Sequence, residues 1–418
     1  MARRLSGSDA VFIGLGSMIG AGVFAAIGPA ARAAGGGLLV GLGIAAVVAF
    51  CNATSSAQLA ALYPASGGTY VYGRERLGSL WGFLAGWGFL IGKTASCAAI
   101  ALTFGSYAVG GTASRWLALA AVVVLTGVNL LGVRKTSGLT KLIVVLVLAA
   151  LALVVVACLA GGAARLSHIG SLTAGGVRGT LQSAGLMFFA FAGYARIATL
   201  GEEVVEPERS IPRAIPIALL LALAVYVVVG VSALVAIGPR SIASSHSPLA
   251  DAVRSGSLSW AAPAVRVGAA VATLGVLLSL LAGVSRTAFA MASNGDLPRS
   301  LDAVHPRSRV PDRAELMIAI AVIAAVLTTD LRGAIGFSSF AVLVYYAIAN
   351  ASAWTLSRDE RRWSRLLSGL GLVGCLTIAF SLPISSVVGG LALLAIGTVV
   401  WLVTKARRLG HKGGRTAL

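Results

Sequence analysis

Apolar residues run along this chain in long blocks, separated by short polar punctuation. Twelve blocks approach or exceed the roughly 20 residues that a helix needs to cross the hydrocarbon core of a bilayer. They centre on residues 10–32, 40–62, 82–107, 116–132, 139–161, 180–200, 214–237, 264–289, 315–329, 334–356, 366–384 and 386–404. The last two are separated by little more than Pro383. The pattern predicts an all-helical, polytopic membrane protein whose 418 residues are used up by spans rather than by several soluble domains.

Composition agrees. Charged residues make up 11% of the chain and hydrophobic ones 57%, whereas a soluble domain carries about 25% charged residues. A net charge of +19 could point to nucleic acid, but the charges fall in short clusters between apolar blocks. With the N-terminus inside, 23 of the 33 Lys and Arg fall on the cytoplasmic side, 8 outside and 2 within membrane segments. That asymmetry is the positive-inside rule, and it predicts cytoplasmic N- and C-termini. "RKTSGLTK", "RDERRWSR" and "KARRLGHK" are its basic clusters; they also suit anionic lipid. Arg3-Arg4 before an apolar run imitates a signal peptide, but glycines interrupt the run and many spans follow, so an uncleaved first helix is expected.

Chemistry-bearing residues are few. Cys51, Cys97, Cys158 and Cys375 all lie in apolar runs and read as small core residues. His168, His246, His305 and His411 lie apart, with no zinc spacing. The 14 acids (Asp9, Glu75, Glu202, Glu203, Glu206, Glu208, Asp251, Asp296, Asp302, Asp312, Glu315, Asp330, Asp359 and Glu360) all fall in loops or at span ends. This pattern supports neither carboxylate catalysis inside the bilayer nor a carboxylate-lined pore. Two cations remain: Lys93 in "FLIGKTASCAA" and Arg196 in "FFAFAGYARIATLGEE". An intramembrane charge costs about 2.5–3.5 kcal/mol on the insertion scale and is functional by default, the bland alternative being snorkelling or a bond to backbone carbonyls.

The first block contains "GLGSMIGAGVF", with glycine at 14, 16, 20 and 22. Glycine costs about 1 kcal/mol against alanine inside a helix, so their number needs a reason. A dinucleotide-binding loop would require a preceding strand and a later acid, and neither is present. Gly16-x-x-x-Gly20 suits close helix packing. A third reading is a broken membrane helix whose freed backbone groups bind a solute, which calls for a partner break in an inverted repeat. Five spans later, "FFAFAGYA" at 188–195 sets small residues among aromatics, with Gly193 as the expected break.

These stretches, with "YPASGGTYVYGRERLG" at 63–78, "EEVVEPERSIPRAI" up to 215 and "AFAMASNGDLP" at 288–298, resemble the amino acid–polyamine–organocation superfamily. Within it, the chain is most similar to bacterial amino acid permeases related to the cationic amino acid transporters. The resemblance implies a LeuT-like fold: one transporter domain over 1–418, with repeat one at about 8–162, an inverted repeat two at about 178–357, and peripheral helices at about 365–404. It implies a secondary transporter of the bacterial cytoplasmic membrane working by alternating access. The substrate carboxylate would sit at the first break, lined by Ser17, Met18, Ile19, Gly20, Ala21 and Gly22. The amine would sit at the second, lined by Phe189, Ala190, Phe191, Ala192 and Gly193, with Phe189 or Phe191 as a gate. The positive start of the half-helix after a break suits a carboxylate, and released carbonyls suit an ammonium.

Two departures from the family pattern matter. Relatives that carry cations have an acid where this chain has Ala195, beside Arg196, so a neutral L-amino acid is expected. Many relatives have a lysine midway along span 5, where this chain has Val147, with Lys141 nearer the end. Lys93 is then the candidate for proton coupling, with Arg196 as a second coupling or gating candidate. The expected partners are an amino acid, the bilayer and, where transport is coupled, a proton. No cofactor, metal, nucleic acid or obligate protein partner is expected. An exchanger, an exporter or a cationic amino acid permease remains the alternative; a channel, a membrane scaffold or an embedded enzyme finds less support.

Overall fold

The computed structural model describes residues 5–63, 67–132, 137–198 and 204–413. Arg3, Arg4, Pro64, Arg134, Lys135, Glu202 and Glu203, which the sequence reading uses, lie outside the described residues. The helices are α1 (Gly7–Ile19), α2 (Gly22–Ala34), α3 (Leu38–Leu62), α4 (Thr69–Leu77), α5 (Ser79–Ala108), α6 (Ala113–Leu130), α7 (Ser137–Ala160), α8 (Gly176–Phe191), α9 (Ala195–Ala198), α10 (Pro207–Ser244), α11 (Pro248–Arg254), α12 (Ala262–Ser293), α13 (Asp312–Thr328), α14 (Leu331–Trp354), α15 (Arg365–Ser381) and α16 (Ile384–Gly413). Where it is described, each of the twelve apolar blocks is mainly helical. Among the described residues, eight helical stretches are long and apolar enough to cross a membrane, and α15 is a shorter apolar helix. Among the described residues the β-structure is one isolated bridge, Leu5 to Val204.

Local chemistry sets the helix ends. Ser6 and Asp9 form a reciprocal capping box that starts α1. Asp330 caps α14 by accepting from the Gly333 N–H at 2.8 Å. Pro383 parts α15 from α16, as the sequence indicates. Two short helices, α4 and α11, interrupt connections that the apolar pattern leaves blank.

Packing brings the two interrupted helices together. On one side α5 packs against α12 and α14; on the other, α10 packs against α3 and α7. Between them, α1 lies on α10 and α7, and α2 lies on α8. Two glycines make the crossing possible. A Cβ at Gly193 would stand 2.4 Å from the Ser17 carbonyl oxygen and 2.8 Å from the Met18 nitrogen. A Cβ at Gly22 would stand 2.6 Å from the Ala190 Cα and 3.0 Å from the Tyr226 hydroxyl. Gly20 faces Val276 of α12, with its absent Cβ 2.4 Å from a methyl group; Gly14 faces Ile197 and Gly16 faces Val144 in the same way. The glycines of the first block therefore meet protein on the side where a side chain would project.

All four cysteines are buried and free. At the end of the bundle where α1 starts, charges tie the connections together. Arg74 reaches Asp296, which also accepts from the Tyr70 hydroxyl at 2.6 Å. Arg76 reaches Glu360 at 2.5 Å. Lys141 reaches Asp9 at 2.7 Å.

Two outcomes are expected. Gly22→Ala should destabilise the purified protein by about 1–3 kcal/mol through overpacking. Gly43→Ala, with nothing within 4 Å of its Cβ position, should be neutral or slightly stabilising. Equal melting temperatures for the two variants would remove the crossing as the reason for Gly22. The second outcome concerns pH. The Arg76 guanidinium, then the Ser357 N–H, hold the Glu360 carboxyl at about 2, below the usual carboxylate range. A depressed carboxylate stabilises the fold above its unfolded value near 4.3, and this contribution is lost as pH falls towards about 2. Glu360→Gln should lower the melting temperature at neutral pH and flatten its fall in acid. A variant parallel to wild type over that range would dismiss the pair.

Candidate functional site

The interruption of the first helix is narrow. Gly20 keeps helical dihedrals (φ −66°, ψ −28°), Ala21 leaves them (φ −134°, ψ −28°), and α2 begins at Gly22. Ala21 supplies no side-chain cap. The first N–H groups of α2 thus have no partner within their own helix, and they form its positive end. Met18, Ile19, Ala21 and Gly22 are buried. Ser17 is half-buried and turns its hydroxyl back onto the Ile13 carbonyl at 2.8 Å.

The second interruption is a change of helix type. α8 ends at Phe191, a 3₁₀ turn covers Ala192–Tyr194, and α9 follows. Gly193 sits inside the turn, where the sequence places the break. Two carbonyls here have side-chain donors. The Ala190 carbonyl accepts from the Tyr226 hydroxyl of α10 at 2.8 Å, and the Ala192 carbonyl accepts from the Lys93 ammonium of α5 at 3.1 Å. Lys93 is 6% exposed, and its nitrogen lies 5.9 Å from the centre of the Phe89 ring. The lysine that the sequence singles out for its position therefore stands on a carbonyl of the second break.

Aromatic rings close round this junction. Phe191 is fully buried, edge-on to Tyr226 at 5.2 Å. Phe189 is 8% exposed, so of the two gate candidates it is the one that keeps some free surface. Tyr194 stacks on Tyr346 at 5.1 Å, and Phe188 and Tyr345 pack on the same Tyr346 ring. The sequence reading misses Tyr226, Tyr194 and Tyr346. A lone hydroxyl within "LLLALAVYVVVG" is the signal that could have raised Tyr226. Ala195 is buried, and Arg196 is half-buried on α9. Val147 is buried on α7, while Lys141 is engaged by Asp9 away from the breaks.

Glu315 lies in the first turn of α13, a span end as the sequence expects, and its side chain is nevertheless 1% exposed. Its Oε1 accepts from the Asn129 amide at 2.8 Å, and the same amide donates to the Leu278 carbonyl at 3.3 Å, about halfway along α12.

Comparison with known proteins places this geometry in a family. Residues 9–402 match the family model "Amino acid permease". An uncharacterized transporter of Mycobacterium tuberculosis is 58% identical over 417 residues, covering 99% of this chain and 94% of its own length. The branched-chain amino acid permease BcaP of Bacillus subtilis is 26% identical over 96% of this chain and 93% of its own. Human cationic amino acid transporter 4 is 29% identical over 84% of this chain and 59% of its own. With a match that spans nearly all its length and apolar helices throughout, the chain belongs to the amino acid permease family of the amino acid–polyamine–organocation superfamily and is a multi-pass membrane protein.

Proposed function

We propose that this permease is a secondary active transporter of neutral L-amino acids that works by alternating access. Twelve crossings form a LeuT-like pair of inverted five-helix repeats with two peripheral helices, and both termini face the cytoplasm of a bacterial cell. The observation that carries the reading is the contact of two backbone interruptions, with Gly193 on Ser17–Met18 and Gly22 on Ala190, beside a buried ammonium on the Ala192 carbonyl.

The substrate carboxylate takes the free N–H groups at the start of α2, and the Ser17–Gly22 segment shapes that end. The substrate ammonium takes the carbonyls of the Phe189–Gly193 segment. Lys93 holds one of these carbonyls now. Substrate and lysine therefore compete for one acceptor, and this competition is the coupling device: a lysine that gives up its proton releases the carbonyl to the incoming ammonium. Phe189 closes over the bound substrate. A lysine or arginine side chain would meet Ala195 and Arg196, which offer no carboxylate.

The name of the human relative favours a second reading, a cationic amino acid permease. Uptake into proteoliposomes separates the two. Neutral amino acids should compete with one another, and arginine and lysine should compete poorly. Strong competition by arginine would establish the cationic reading, and uptake of none of the twenty would end both. Lys93→Ala should lose accumulation driven by a proton gradient while keeping counterflow exchange. Unchanged accumulation with an unchanged pH profile would refute the coupling role. Parallel loss of accumulation, exchange and thermal stability would make Lys93 purely structural.

A further inference from the structure

The Glu315 carboxylate has a use that the transport mechanism above leaves open. Its Oε1 is held by Asn129, while its Oε2 has no hydrogen-bond partner in the protein among the described residues. Burying such a group without compensation is costly, so an oxygen kept in this state calls for a ligand or a function. Glu315 lines a cavity of about 60 Å³. Its other polar lining comes from Asn129, Ser285, Arg286, Ser308 and Arg309. Asn129 and Ser285 are buried, whereas Arg286 and Arg309 are exposed, so the cavity runs from a polar interior to an arginine rim. Arg309 holds φ +53°, a backbone conformation that non-glycine residues seldom adopt.

Size and charge narrow the occupant. A water molecule needs about 10–15 Å³ of such space, so a few waters fit. Organic ligands occupy pockets of about 300–1,000 Å³. A hard metal cation wants about six oxygen ligands or more, and this cavity offers one carboxylate, an amide and two hydroxyls under two arginines. A proton needs one free carboxylate oxygen and a water path.

We propose that Glu315 is a proton-binding site, loaded and unloaded through this cavity: a proton from cavity water adds to Oε2 to give the neutral acid, and leaves by the same route. Among the described residues, the groups that bear on it lie on the elements packed round it. α6 contributes Asn129, which does not titrate. α12 contributes Arg286, the segment before α13 contributes Arg309, and the first turn of α13 contributes Asp312 and Arg313. α5 contributes Cys97, within Coulomb reach of Glu315. Lys93 stands four residues before Cys97 on α5, so the two share a face. The link to transport rests on the proposed function; the proton binding does not.

Infrared difference spectra of the purified full-length protein, taken across a pH titration, test the site without any substrate. Wild type should show a titrating protonated-carboxyl band that is missing in Glu315→Gln, and Asn129→Ala should move the midpoint of that band. Identical spectra for wild type and Glu315→Gln, or an unmoved midpoint in a folded Asn129→Ala protein, would overturn the proposal. In proteoliposomes, Glu315→Gln should keep counterflow exchange and lose about tenfold or more in gradient-driven uptake, a loss within the usual range of coupling between sites. Wild-type gradient-driven uptake by the variant would remove the link to transport. If wild type moves no amino acid, the transport reading fails, and the infrared titration still decides whether Glu315 binds a proton.

Discussion

The rest of this structure depends on one close approach, the backbone of the second interrupted helix against the backbone of the first. Two glycines set it, Gly193 over Ser17–Met18 and Gly22 against Ala190. In a membrane there is little hydrophobic drive to press helices together, so close van der Waals packing between small residues carries the association. The same contact leaves two stretches of non-ideal backbone next to each other in the interior, where their unpaired groups are tolerated because they face protein or a cavity rather than lipid. Packing and binding potential therefore come from the same glycines.

That contact explains why the surrounding helices carry isolated polar groups. Tyr226 and Lys93 come from α10 and α5, on opposite sides of the interrupted pair, and each donates to a carbonyl of the second break. Backbone acceptors at the 3₁₀ turn are thereby satisfied from flanking helices.

Much of this was legible in the sequence, for identifiable reasons. A bilayer demands long apolar blocks, so the helices stand out, and Pro383 marks even the weakest boundary. Glycine is costly inside a helix, so the cluster at 14–22 and the single Gly193 mark both interruptions. Lys93 stands out because so few charges share its surroundings. What stayed hidden depends on which residues meet. The facing of Gly20 and Gly22 onto Val276 and Ala190 needs two helices at a defined crossing. The burial of Glu315 depends on how the start of α13 packs against Asn129 of α6, and a position at a helix start says nothing of that. α4 and α11 are short and lack an apolar block, so tertiary contacts define them.

The four cysteines carry a practical consequence. Each is buried among packed helices, and none is paired. Water-soluble thiol reagents act on accessible thiolates, and buried structural cysteines are inert. The native chain is therefore silent to such reagents, and a single cysteine introduced at an exposed helix end would carry a spin label or fluorophore with no background. Distances between helix ends can then be measured without first removing a native residue.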